Sequence, residues 1–310
     1  MTNRGDVTLS QLRYFVAAAV TGTMTGAARE FGVAQSAVST AIAGLEAQIG
    51  AQLFVRRHAR GLVPTAAGEQ LLKDARWLLS ELEGVIDVVR GTAAKPHGTV
   101  RVACFTTLVP FFMPRLLIRL ALEYPGLEVD VIETDAEGAD QVLRSGAAEL
   151  AITYDFGFSG DISTARIGSA RPYLVVAEAD VRPGQTSAPL EELVERPFVL
   201  LDMPRSREHF LSLFHSRGLV PNIAYRTTSY ETARALVGRG LGFSILHQRP
   251  QSSTAYDGGH VSALDISDDV DELPYVVARL KDVRRTARAK AVEDMVLSDA
   301  SLRAGGLLQD

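Results

Sequence analysis

Residues 24–64 read MTGAAREFGVAQSAVSTAIAGLEAQIGAQLFVRRHARGLVP, and their reading decides the fold of the amino-terminal part of the chain. The apolar spacing predicts a short helix over about Met24–Glu30 and a longer one from about Gln35 to Ile49, with a turn at Phe31-Gly32-Val33. Such a pair packs as a helix-turn-helix when a small residue sits at the crossing, a glycine in the turn and a branched apolar residue on the second helix. Ala28, Gly32 and Val38 meet those demands. Ile42, Leu45 and Ile49 are assigned to the core, which leaves Gln35, Ser36, Ser39 and Thr40 near the exposed leading end of the second helix. Small hydrogen-bonding side chains at that place reach phosphates and base edges in a major groove. Gly50 stops the helix. Leu53-Phe54-Val55 and Leu62-Val63-Pro64 then flank Arg56, Arg57, His58, Arg60 and Gly61, a basic ribbon suited to lie as a wing on a sugar-phosphate backbone.

Working outward, Leu9, Leu12, Phe15, Val16 and Ala19 predict a preceding helix with one apolar face. On the other side, the stretch from Ala66 to about Arg90 has no proline. Leu71, Ala75, Leu78, Leu82, Val85 and Val89 follow at spacings of 4, 3, 4, 3 and 4, an a/d seam. Leu72, Leu79, Ile86 and Val88 add a second apolar flank, more than one helix beside a small head needs, so burial against a second copy is expected. Gly91–Gly98 (GTAAKPHG) breaks the helical pattern. Beyond it, β-rich runs at Val100–Phe105, Leu127–Thr134, Leu150–Tyr154, Tyr173–Ala177, Phe198–Leu201, Ile223–Thr227, Phe243–Leu246 and Tyr275–Arg279 alternate with amphipathic stretches. That alternation predicts an α/β domain with a mostly parallel sheet.

Of 310 residues, 46% are hydrophobic and 22% charged, ordinary values for a folded soluble protein. The net charge of −5 is unevenly spread. Residues 1–65 hold six basic and three acidic side chains, for +3, which leaves −8 on the rest. A basic head on an acidic body is the asymmetry of a chain that touches phosphate at one end. With no apolar run long enough to span a membrane and no secretory pattern at the start, a cytoplasmic protein is expected. The lone cysteine, Cys104, excludes an intramolecular disulfide and reads as a structural thiol. The histidines show no ligand-spaced pair on one helix, and Gly238-Arg239-Gly240-Leu241-Gly242 reads as a helix stop, so neither metal nor cofactor is expected.

In the body, a strand leads through Thr106 and Thr107 into a helix, and either threonine is expected to cap it. A helix start aimed at the open end of a sheet favours an anion, and ligands in open α/β sheets bind outside the carboxyl ends of the strands. The candidates for contact with a small molecule are Thr106, Thr107, Tyr154, Arg205, Thr228 and Phe243. An anion held by the threonines and an arginine is one reading. A neutral aromatic among Phe105, Tyr154, Phe156 and Phe243 is the other. No paired acid and base appears, so chemistry on the ligand is not expected.

Residues 9–69 resemble the LysR-type transcriptional regulators. The order of features carries the resemblance: L-x-x-L-x-x-F, then AAREFGVAQSAVS, I-x-x-L-E, G-x-x-L-F-x-R and L-x-P-T-x-A-G. It implies a winged helix-turn-helix over 1–65, a dimerising linker helix over 66–90, a hinge over 91–98 and an effector-binding domain over 99–310. That domain would be like a periplasmic binding protein, with one subdomain at about 99–165 and 269–300 and the other at about 166–268. The implied function is promoter binding to double-stranded DNA, modulated by a small molecule, a carboxylate or an aromatic, in the cleft. The implied assembly is a homodimer, and further a homotetramer. DNA contacts fall on Gln35, Ser36, Ser39, Thr40, Arg56, Arg57 and Arg60. Where Thr40, Ala41 and Ala43 stand, the family commonly carries Arg, Gln and Lys or Arg, which shifts affinity from the helix to the wing.

Overall fold

The computed structural model describes residues 6–57, 61–89, 96–158 and 160–298. Helix α1 (Leu9–Thr21) opens on a capping box in which Thr8 and Gln11 satisfy each other's backbone N–H groups. Helix α2 (Met24–Phe31) is capped by Thr23 and ends at Gly32 in the left-handed region, and α3 (Gln35–Ile49) follows. Their shared core holds Leu12, Phe15, Ala28, Val38, Ile42 and Leu45. Ile49, expected inside, is 43% exposed, because the last turn of α3 runs past the end of that core.

Strands β1 (Phe54–Arg57) and β2 (Gly61–Pro64) form the antiparallel wing, paired from Phe54↔Pro64 to Arg57↔Gly61. Gly61 has a φ of 70°, and a Cβ there would lie 2.5 Å from the carbonyl oxygen of Gly22. The Leu62 N–H donates to that same oxygen at 2.8 Å, so the wing root is fixed on the α1–α2 turn where only glycine fits. Helix α4 (Ala66–Val89) starts at Thr65, whose hydroxyl accepts from the Gly68 N–H. Leu72 and Ala75 complete the head core, so part of the apolar seam is used within the chain. Leu78 and Ile86 remain exposed, while the side chains of Val85, Val88 and Val89 lie outside what is described.

The body holds β3 (Gly98–Phe105), α5 (Val109–Glu123), β4 (Leu127–Thr134), α6 (Ala136–Arg144), β5 (Leu150–Tyr154), β6 (Ile162–Ala170) and β7 (Tyr173–Ala177). There follow β8 (Ser187–Ala188), β9 (Phe198–Leu201), α7 (Ser206–His215), β10 (Ile223–Thr227) and α8 (Tyr230–Gly238). The series closes with β11 (Ser244–Leu246), β12 (Val261–Ile266), β13 (Leu273–Leu280) and α9 (Ala287–Ser298). One sheet has the order β4-β3-β5-β13-β6, the other β11-β7-β12-β8, with β9 and β10 paired beside it. The chain crosses between them twice, at Arg171-Pro172 and between Ile266 and Leu273. β6 thus carries the first sheet five residues past the expected crossing near 165.

The expectation of a mostly parallel sheet is corrected. β3 is parallel to β4 and β5, but β13 is antiparallel to β5 and β6, and β7 is antiparallel to β11 and β12. The cause is the return crossing: β13 begins where the chain comes back from the second sheet, so it runs against the strands that lead there. No described helix is long and apolar enough to cross a membrane.

Candidate nucleic-acid interface and ligand cleft

Two places in the fold gather the residues singled out above. At the first, α3 is preceded by Ala34 at its N-cap, which offers no side-chain acceptor to the leading N–H groups. Gln35, Ser36 and Thr40 are exposed there, Ser39 is half-buried, and Gln35 Nε2 lies 3.5 Å from Ser39 Oγ. A helix start without a cap, lined by short polar groups, favours an anion such as phosphate. The wing, rooted on the α1–α2 turn, has the backbones of Arg56 and Arg57 paired to Leu62 and Gly61. His58 and Arg60 fall outside the described residues.

The second place is the cleft between the sheets. Thr107, Tyr154 and Phe156 come from one side, and Ser206, Phe210 and His247 from the other. The cleft is shut on an internal cavity of about 10 Å³, room for about one water. Rings close it: Tyr154 packs on Phe105 and His247 with centroids 5.1 and 5.4 Å away, and Phe156 meets His209 at 6.1 Å. His209 and His247 face each other Nε2 to Nε2 at 3.1 Å. Burial pulls both imidazoles below their ordinary pKa, His247 furthest, and their mutual repulsion lowers His247 again, so the pair is neutral near pH 7. Tyr154, wholly buried, is pushed up by the same cause. Gln248 Nε2 donates to the Tyr154 hydroxyl at 3.2 Å, while Gln248 Oε1 has no partner among the described residues.

Thr107 and Tyr154 are therefore brought together, and Arg205 stands at the mouth. It lines an outer hollow of about 660 Å³ with Phe156 and His209, its Nη1 3.4 Å from the Phe156 carbonyl oxygen. The neighbouring Arg207 is instead committed to Asp202, which also takes Arg226 at 3.1 Å. Thr106 is turned away: its hydroxyl and N–H both donate to the Thr134 carbonyl, at 3.1 and 2.8 Å. Neither threonine caps α5, whose N-cap is Leu108 with no side-chain bond, because Pro110 in the first turn already removes one N–H that a cap would satisfy. Thr228 is exposed ahead of the α8 cap Ser229 and does not line the cleft. Phe243 lies in the core of the second subdomain, stacked on Phe198 at 5.0 Å. His209, Ser206, Phe210, His247 and Gln248 were not singled out by sequence. They come from α7 and the segment after β11, and no local motif announces such a meeting.

Comparison with known proteins bears on both places together. The LysR substrate binding domain family matches residues 93–301, and the bacterial regulatory helix-turn-helix proteins of the lysR family match residues 9–69. The chain belongs to the LysR family of transcriptional regulators. Among curated relatives of this LysR-type regulator is a probable hydrogen peroxide-inducible genes activator of Mycobacterium avium, 30% identical over 78% of each chain. Another is the regulator ClcR of Pseudomonas putida, 29% identical over 76% of this chain and 81% of that one. The crystal structure of HinK, a LysR family regulator from Pseudomonas aeruginosa, superposes with a TM-score of 0.64 at 32% identity, covering 96% of this chain and all of that one. CbnR in complex with its target DNA shares the fold at 24% identity and a TM-score of 0.55, covering 94% of this chain and all of that one. The LysR family consists of regulators that bind DNA and small-molecule effectors, not of enzymes.

Proposed function

We propose that this LysR-type regulator reads promoter DNA with Gln35, Ser36, Ser39 and Thr40 in the major groove and Arg56, Arg57 and Arg60 on the backbone. The observation that carries this reading is the exposed start of α3, which no side chain caps. The departure at Thr40, Ala41 and Ala43 puts more of the phosphate contact on the wing. The head is taken as 1–65, the linker as 66–90, the hinge as 91–98 and the effector domain as 99–310. Two copies pair through the exposed stripe of α4, with a tetramer as the further assembly, and the protein acts in the cytoplasm.

The effector enters the cleft at Thr107 and Tyr154. An aromatic carboxylate satisfies both walls, with its ring among Phe105, Phe156 and Phe210 and its charge toward Arg205. A peroxide response through an internal disulfide, which the name of the mycobacterial relative invites, is not open to a chain whose single cysteine is buried with its thiol pushed up by desolvation. The test is a DNA titration at several salt concentrations. Arg56→Ala with Arg57→Ala should weaken binding to all sequences and lower the log–log salt slope by about two, since about one counterion is released per phosphate contact. Gln35→Ala should instead change which sequence is preferred. An unchanged slope in the double variant contradicts the wing assignment.

A further inference from the structure

A second cavity, of about 410 Å³, lies between the head and the body of the same chain. Its two walls differ. Val16 and Val20 of α1 and Leu79 of α4 give an apolar face. Across from and beside it, seven Lys and Arg side chains reach the cavity against two carboxylates, Glu30 and Glu149. Some of this charge is answered nearby: Arg101 pairs with Asp130 at 3.2 Å, Arg288 with Glu149 at 3.2 Å, and Arg279 and Arg285 share Glu293. Lys73 in turn acts on Asp161, whose carboxyl is held below its ordinary value mainly by Arg144.

Arg76 of α4 stands among these side chains. Its Nη1 donates to the Ser145 carbonyl oxygen at 2.6 Å, a neutral partner. The guanidinium lies so close on Gly146, at φ 64°, that a Cβ there would be 2.1 Å from Nη1. Burial and the neighbouring Arg101 pull its pKa down to about 10, against a smaller opposing effect of Glu149. A buried cation whose hydrogen bond goes to a neutral carbonyl, and which another cation presses, gains from an anion placed beside it. The volume is that of a small-molecule site, within the range of roughly 300–1,000 Å³.

We propose that this cavity is a second ligand site, distinct from the cleft, for a small organic anion with an apolar body. The charge would lie against Arg76 and Lys73 and the body against Val16, Val20 and Leu79. Because Arg76 belongs to α4 and Ser145 to the body, an occupant ties the linker helix to the effector domain and opposes any change in their angle.

Isothermal titration of the full-length, DNA-free protein with phenyl phosphate, inorganic phosphate and phenol tests the site. Phenyl phosphate should bind saturably, one per chain, and at least about tenfold more tightly than phenol, since the charge-assisted bonds are the stronger part. Arg76→Gln and Lys73→Gln should each weaken it at least about tenfold, in line with the loss of one charged hydrogen bond. The wing variant Arg56→Ala with Arg57→Ala and the cleft variant Thr107→Val should bind it within about twofold, below the effect of one lost hydrogen bond. The proposal is overturned if no saturable binding occurs. It is equally overturned if both the Arg76 and Lys73 variants bind as the parent does, or if affinity is lost in the wing or cleft variant, which places the ligand at the DNA-facing or effector surface instead.

Discussion

Arg205 has a backbone φ of 64°, the one positive value among the described residues that are not glycine. It is the centre of a three-residue turn closed by the Ser206 N–H on the Pro204 carbonyl at 2.8 Å, a rare and strained arrangement for a side-chain-bearing residue. Strain of this kind persists where surrounding structure imposes it and often marks a ligand site. Arg205→Gly should therefore leave unfolding free energy unchanged or raise it by up to about 1 kcal/mol, while effector affinity falls at least tenfold. Urea unfolding and effector titration together check this, and a clear loss of stability would mean the arginine side chain, not its backbone, holds the turn. Gln35, Ser36, Ser39 and Thr40, which we propose face DNA, were legible at this scale because each follows from its place on one helix. Arg205 was legible as a charge near a strand end, whereas its backbone conformation was not, since nothing in Pro204-Arg205-Ser206 demands it.

The linker helix α4 serves two partners. Leu72 and Ala75 are spent on the head core, and Leu71 and Leu79 pack beside them. Leu78 stays 44% exposed, and Leu82 is half-buried. The seam read from sequence is thus divided by tertiary contact, and the dimer contact we propose is narrower than the full heptad pattern. Leu78→Glu with Leu82→Glu should leave the head folded and separate the subunits, since carboxylates in a desolvated seam cost several kcal/mol, about 3–5 when unpaired. Sedimentation velocity reads the outcome, and an intact dimer would place the subunit contact in the effector domains. The wing is a second case. Its two strands were legible from apolar runs around a glycine, but that Gly61 must approach the Gly22 carbonyl emerged only from the fold.

Across the molecule, the cleft is held shut by neutral imidazoles packed between aromatic rings. His209 and His247 both titrate below the ordinary value of 6.5 in the folded chain, while the unfolded chain keeps that value. As pH falls, the unfolded state binds protons first, so stability present above about pH 6.5 is lost below it. Asp271 opposes part of this by favouring a charged His209, and the Tyr154 hydroxyl facing the pair stays neutral throughout. Melting temperature should therefore drop between pH 7.5 and pH 5. His247→Phe, which keeps the stack on Phe210, should flatten that drop because each affected proton contributes up to about 1.4 kcal/mol per pH unit. A parallel acid limb in the variant would place the titration elsewhere.

The sequence by itself determined the helix-turn-helix, the wing, the long linker helix and most strands of the body. Each of these depends on periodicity, caps and turn residues within a few positions. Tertiary structure alone decided the antiparallel β13, the division of the α4 seam and the composition of the cleft. Phe243 shows the limit: its run reads as a strand end facing a ligand, yet it stacks on Phe198 in the core. His209 and His247 show the converse, residues 38 positions apart whose rings meet at 3.1 Å. Local pattern fixes which face of an element is apolar. Which distant face covers it depends on chain crossings, and those are set by the packing of the whole.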